Sequence, residues 1–186
     1  MAMHEIILLI NGKQTNNDTR ASRQAMQDQS SPQQSLSPLT VHKSEADLPF
    51  VEMSPGYSAQ VLHVNLETGV WVSPSRLAPG YRSPRHRHSG EVFGFTNSGS
   101  WYYLEQPGAV NQAGSYLYEP AGSDHTQFVP ADNEGPVDIW FLISGRIEAV
   151  DDEGKTVSST GAREMLDAYK DACRNAGLKV PDVLIG

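Results

Sequence analysis

Between Ser54 and Gly154 a turn signal interrupts the chain every few residues, which leaves no room for a long helix. Ser54-Pro55-Gly56, Glu67-Thr68-Gly69, Ala78-Pro79-Gly80, Asn97-Ser98-Gly99, Gln106-Pro107-Gly108, Gln112-Ala113-Gly114 and Pro120-Ala121-Gly122 are all of this kind. The text between them is short and partly apolar: Gln60–Leu66, Val70–Ser73, His86–Thr96, Ser100–Glu105, Tyr116–Glu119, Thr126–Val129 and Val137–Ser144. Such runs read as β-strands, because a strand needs only a few residues while a helix needs ten or more. One helix is expected near the end. Thr160 can cap it, Met165, Leu166, Tyr169 and Cys173 fall at helical spacing, and Gly177 lies just past its last turn. The expected architecture is all-β, a jelly-roll type barrel with one C-terminal helix.

Three parts are expected. Residues 1–40 form a polar arm rich in Gln, Asn, Ser and Asp, which buries little and should be flexible. Its apolar run Ile6–Ile10 is too short for a signal-peptide core, and can be a strand pairing elsewhere. Residues 41–158 form the barrel, and 159–186 a helix and tail packed on it.

The formal charge of −8, from 14 basic and 22 acidic residues, argues against nucleic acid and anionic membranes, which require a cationic face. A single cysteine, Cys173, permits neither an intrachain disulfide nor a cysteine zinc cluster, and a reducing cytoplasm is the expected setting. No apolar run reaches membrane-spanning length.

The candidate chemistry is concentrated between Gly80 and Val129. His86 and His88 are two apart, so on a strand both project from one face and can converge on one ion, while Arg87 points to the other. His125, after the Pro120–Gly122 turn, would come from another strand and complete a triangle. Neutral imidazoles suit Fe, Zn, Cu or Ni. Glu105 shares strand parity with Trp101 and Tyr103. It is the candidate carboxylate, as a further ligand or as a base, and equally reads as a strand-end glutamate before a turn. Trp101 and Tyr103 are candidate walls of a substrate pocket. Glu119, before Pro120, reads as a structural residue bonding turn amides. Glu91 reads as an exterior carboxylate.

The spacing resembles that of the cupins. Gly80, His86, His88 and Gly99 fit the first cupin motif, G-x5-H-x-H-x(3–4)-E-x6-G. Gly114, Pro120, Gly122 and His125 fit the second, G-x5-P-x-G-x2-H-x3-N. The motif glutamate is replaced by Val92 or Phe93, and the motif asparagine by Val129. The resemblance implies a double-stranded β-helix with a metal in its mouth.

From about Leu48 to Gly177 the text is similar to the 2,4'-dihydroxyacetophenone dioxygenase family, through His86–Thr96, Gly99–Glu105 and Gly114–Thr126. That likeness implies a non-haem Fe(II) dioxygenase, with Zn or Ni as substitutes in a purified sample. The substrates would be O2 and a chelating ketone, a 2-hydroxyacetophenone or a β-dicarbonyl, split at a C–C bond. It also implies a homodimer, to which the N-terminal segment can lend a strand. The alternative is a zinc-holding cupin sensor or binding module without oxygenase activity. A metal-independent epimerase on the same barrel fits the HxH spacing least.

Overall fold

The computed structural model describes residues 40–186, so the expected N-terminal arm and its Ile6–Ile10 run lie outside the described residues. Four strands come first: β1 (Val51–Ser54), β2 (Tyr57–Ala59), β3 (His63–Asn65) and β4 (Val70–Leu77). The central stretch supplies β5 (His86–His88), β6 (Val92–Ser98), β7 (Ser100–Tyr103), β8 (Asn111–Gln112), β9 (Tyr116–Glu119), β10 (Asp124–His125) and β11 (Gln127–Phe128). Then follow β12 (Val137–Ser144), β13 (Arg146–Val150), β14 (Thr156–Gly161), helix α1 (Ala162–Asn175) and β15 (Leu184–Ile185). The described residues thus form many strands and one α-helix, an all-β cupin-type barrel.

The largest sheet runs β1-β2-β4-β12-β6-β9, with β3 on β4 and β15 parallel to β3. A second sheet runs β10-β5-β13-β14, and a third β11-β7-β8. β4 and β12 pair antiparallel over all eight residues, Val70–Leu77 against Val137–Ser144. Along β4, Trp71, Ser73, Ser75 and Leu77 share the inward face, as the two-residue period requires, and all four line the interior.

The sequence suggests one strand from His86 to Thr96. The structure divides it. β5 belongs to the second sheet and β6 to the first, and Ser89–Glu91 carries the chain between them. Gly90 makes the crossing possible, since a Cβ there would sit 2.6 Å from the Ser144 carbonyl oxygen. Gly145 lies at φ +77°, where a Cβ would meet Ser89 Oγ at 2.5 Å. Ser89 and Arg146 then exchange bonds: Ser89 N–H donates to the Arg146 carbonyl (2.9 Å) and Arg146 N–H donates to Ser89 Oγ (2.8 Å). Two glycines that interlock therefore anchor the chain just past His88.

α1 begins at Ala162 with Gly161 as its N-cap, one residue after the Thr160 expected from the sequence. Glu164 supplies the missing cap, accepting the Gly161 N–H at 3.0 Å. Its buried stripe is Ala162, Met165, Leu166, Tyr169 and Cys173, packed with Trp71, Val64 and Ile143 of the large sheet. Tyr169 Oη donates to the Pro49 carbonyl at 2.7 Å, so the one polar atom on the stripe is satisfied. Among the described residues no helix is long and apolar enough to cross a membrane.

Candidate metal centre and cavity

β5 and β10 are antiparallel, with His86 directly opposite His125 and Arg87 opposite Asp124. Directly opposed residues have Cβ atoms about 4.5–5.5 Å apart. His88 lies on the same face as His86, and the Gly122 amide donates to the His88 carbonyl at 2.8 Å, which ties the Pro120–Gly122 turn to β5. The three rings come together with one ring nitrogen from each within 4.8 Å of the others. Arg87 lies on the outer face, where its Nε donates to Glu148 at 3.2 Å.

The environment keeps the imidazoles neutral. Burial pushes His88 down to about 3, with His86 and His125 adding to the effect. Burial, followed by His86, pushes His125 down to about 3 as well. His86 is lowered too, chiefly by burial. Its Nδ1 lies 2.9 Å from the Pro84 carbonyl, an acceptor only, so Nδ1 carries the proton and Nε2 keeps its lone pair for a ligand role.

The nearby carboxylate is Glu119 rather than Glu105. Glu119 Oε2 lies 3.3 Å from both His88 Nε2 and His125 Nε2. Those separations are ion-pair distances, yet Glu119 Oε2 and His125 Nε2 have no hydrogen-bond partner among the described residues. Buried lone pairs that face one another without a proton between them are costly, and a cation at their focus removes the cost. The donor set of three imidazoles flanked by a carboxylate fits a divalent transition metal.

Burial raises Glu119 to about 7, against a hydrogen bond from Tyr103 that pulls it down. Tyr103 Oη donates to Glu119 Oε1, and its ring stacks on His125 at 4.2 Å. Glu105 makes no ion pair with an imidazole among the described residues. Its Oε2 accepts the Thr126 N–H at 2.8 Å, and it shares the lining of a smaller pocket with Tyr103, Glu119 and His125.

The sequence reads Glu119 as a structural residue of the Pro120 turn. In the structure Tyr116 and Tyr118 are exposed, and Glu119 is buried against two of the imidazoles. Tyr118 Oη donates instead to Glu91 on the outside, at 2.6 Å. The missed signal is the register, since Glu119 pairs with buried Val92, four residues beyond His88.

Beside the imidazoles lies a cavity of about 190 Å³. Its walls come from all three sheets and from Met165 of α1. Apolar side chains dominate, with Ser73, Ser75, Tyr57 and Gln127 among them, and the one carboxylate is Glu119. Among the described residues no lysine or arginine lines it. Of the two aromatic residues singled out in the sequence, Tyr103 is in this lining. Trp101 is fully buried, its Nε1 donating to Thr96 Oγ1 at 3.0 Å, and Trp71 is the tryptophan of the lining.

The lowered histidines and the raised glutamate set the pH response of the metal-free protein. Ordinary values are 6.5 for His and 4.5 for Glu. Between these values the unfolded chain holds protons on His88 and His125 that the folded chain lacks. The folded chain holds one on Glu119 that the unfolded chain lacks. The unfolded state is ahead by one proton, so stability should fall by about 1.4 kcal/mol for each unit of acidification. Below the Glu value the slope should double until the two histidines titrate, and lowered His86 acts in the same direction. Urea denaturation of chelator-treated protein between about pH 7 and about pH 5 measures it.

No curated protein matches the chain. Solved structures do. A protein of unknown function with a cupin-like fold from Ralstonia eutropha is 28% identical, with a TM-score of 0.69 over 80% of this chain and 96% of that one. An RmlC-like cupin protein from the same organism is 23% identical, with a TM-score of 0.71 over 78% and 94%. An acetylacetone dioxygenase from Acinetobacter johnsonii is 22% identical, with a TM-score of 0.60 over 86% and 99%. Residues 39–136, more than half of the chain, match the family described as the ChrR cupin-like domain, and the chain belongs to that family.

Proposed function

We propose that this protein is a non-haem Fe(II) dioxygenase that cleaves a C–C bond of a chelating ketone, in the manner of the 2,4'-dihydroxyacetophenone dioxygenases. The observation that carries this reading is the largely apolar cavity of about 190 Å³, with Glu119 on its wall, beside the three imidazoles. A cavity of about 150 Å³ lined by apolar side chains holds benzene. The space here therefore suits a one-ring 2-hydroxyketone or a short β-dicarbonyl. A bound iron would supply Lewis acidity and reactivity toward O2. His86, His88 and His125 would hold it.

The remaining work belongs to the chain. Glu119, whose carboxylate lies beside the imidazoles and on the wall of the cavity, is the base that takes the acidic proton of the ketone. Tyr103 fixes the carboxylate by donating to its other oxygen. The walls keep bulk water from the reacting carbons. For a 2-hydroxyketone the balance is one ketone and one O2 to one carboxylic acid and one formic acid. By the same likeness we take the protein to act as a cytoplasmic homodimer on a small molecule, without nucleic acid or membrane partners. The acetylacetone dioxygenase among the structural neighbours lends the reading support through its name and shared fold.

The ChrR description of the family favours a second reading, a zinc-holding binding module. Elemental analysis of protein expressed without added metal separates the two when followed by oxygen uptake with 2-hydroxyacetophenone and acetylacetone. Iron with uptake is the expected result. Tight zinc, with no uptake after full iron loading, would establish the second reading instead.

A further inference from the structure

We infer that Gln127 recognises an oxygen of the ligand held beside the imidazoles, which makes it a residue that selects ligands by their hydrogen-bond acceptor. The inference rests on the reading that the ligand occupies this cavity. Gln127 opens β11, two residues beyond His125, where the chain passes from the second sheet to the third. It pairs with Tyr103, the residue that donates to Glu119. Its backbone is fixed from both sides. The Gln127 N–H donates to Ser83 Oγ at 2.9 Å, and the Ser83 N–H donates to the Gln127 carbonyl at 3.0 Å. Ser83 lies three residues before His86, so this link sets Gln127 against the segment that delivers the first imidazole.

The side chain differs from its backbone. It is 9% exposed, it lines the cavity with His86 and His88, and its Nε2 has no partner among the described residues. Buried amides are nearly always paired in folded proteins. A primary amide has two N–H donors, and among the described residues no lysine or arginine shares the lining. Gln127 is therefore a neutral donor available to a ligand oxygen that gains negative charge as it loses its proton. A site that hydrogen-bonds an oxygen rejects an analogue lacking one, because the protein donor is then left unpaired. The ligand class is thus narrowed to an apolar body with an acceptor oxygen turned toward β11 and no fixed charge.

The test uses the full-length zinc-loaded protein, in which binding is read without turnover. Calorimetry with acetylacetone and with 2-hydroxyacetophenone compares wild type, Gln127→Met and Gln127→Glu. Gln127→Met keeps the volume and removes the donor, and should weaken both probes by about 10- to 100-fold. Gln127→Glu replaces the donor with a negative charge and should weaken both probes at neutral pH at least as much as Gln127→Met. Zinc content and the thermal transition should stay close to wild type.

Affinities within twofold of wild type in a folded, zinc-loaded Gln127→Met protein would overturn the inference. So would failure of wild type to bind either probe. Loss of zinc or of cooperative unfolding in both variants would also overturn it, since Gln127 would then belong to the frame. Failure of the dioxygenase reading looks different: the iron form consumes no oxygen while the zinc form still binds the probes through Gln127.

Discussion

His125→Ala should leave a folded protein that no longer retains its metal. The side chain sits at the focus of the imidazole group, and the variant removes one of three neutral donors. Changing an outer-shell partner typically costs 10- to 100-fold in metal affinity, and removing a ligand should cost more than about 100-fold. Stability gives a second, opposed signature. In chelator the wild-type imidazole has an unpartnered Nε2. Its removal relieves a buried polar atom while it loses the stack on Tyr103. These effects offset, so the metal-free variant should unfold within about 1 kcal/mol of the metal-free wild type. With metal at about 1,000 times the wild-type dissociation constant, wild type should gain about 4 kcal/mol and the variant less than about 1.5 kcal/mol. Urea melts with and without EDTA, alongside elemental analysis, measure both. A variant that holds stoichiometric metal would remove His125 from the centre.

Glu119→Gln should cut oxygen uptake by about 10²- to 10⁴-fold, the range a positioned general base contributes. The amide keeps the size of the carboxylate and can still accept from Tyr103, so the geometry around His88 and His125 is preserved. What it loses is the ability to take a proton. The loss should fall on Glu119 and not on Glu105. In Glu105→Gln the amide oxygen can still accept the Thr126 N–H that the carboxylate accepts now. Iron content and turnover of the two variants, measured side by side, decide the assignment. Full activity in Glu119→Gln with loss in Glu105→Gln would reverse it.

The contrast between these two glutamates shows where the sequence is informative. Spacing places His86, His88 and His125 because the constraint is local: two residues on one strand, and a fixed count from Gly114 through Pro120 to His125. Turn glycines and prolines likewise give the strand-rich architecture. Choosing between Glu105 and Glu119 needs long-range register. Glu105 has the correct parity on its own run, but β7 ends at Tyr103 and the glutamate turns out to meet the Thr126 amide. Glu119 reads as a structural residue of the Pro120 turn, while in the structure it is buried against two of the imidazoles. The break between β5 and β6 is equally non-local, because it depends on Gly90 meeting the Ser144 carbonyl from a strand more than fifty residues away. β15 escapes notice for the same reason: only its pairing with His63 and Val64 makes Leu184 and Ile185 a strand.

The inward face of β4 sets bulk at its ends, Trp71 and Leu77, around the space left by two serines. The clustered imidazoles come from β5 and β10, in a different sheet. Appetite for ligands of different girth can therefore be altered at Ser75 without disturbing the inorganic chemistry. Ser73 is the less adaptable of the pair, since its hydroxyl is committed to the Gln60 carbonyl. Descendants of such a scaffold can change what fits the interior while the histidine trio stays fixed.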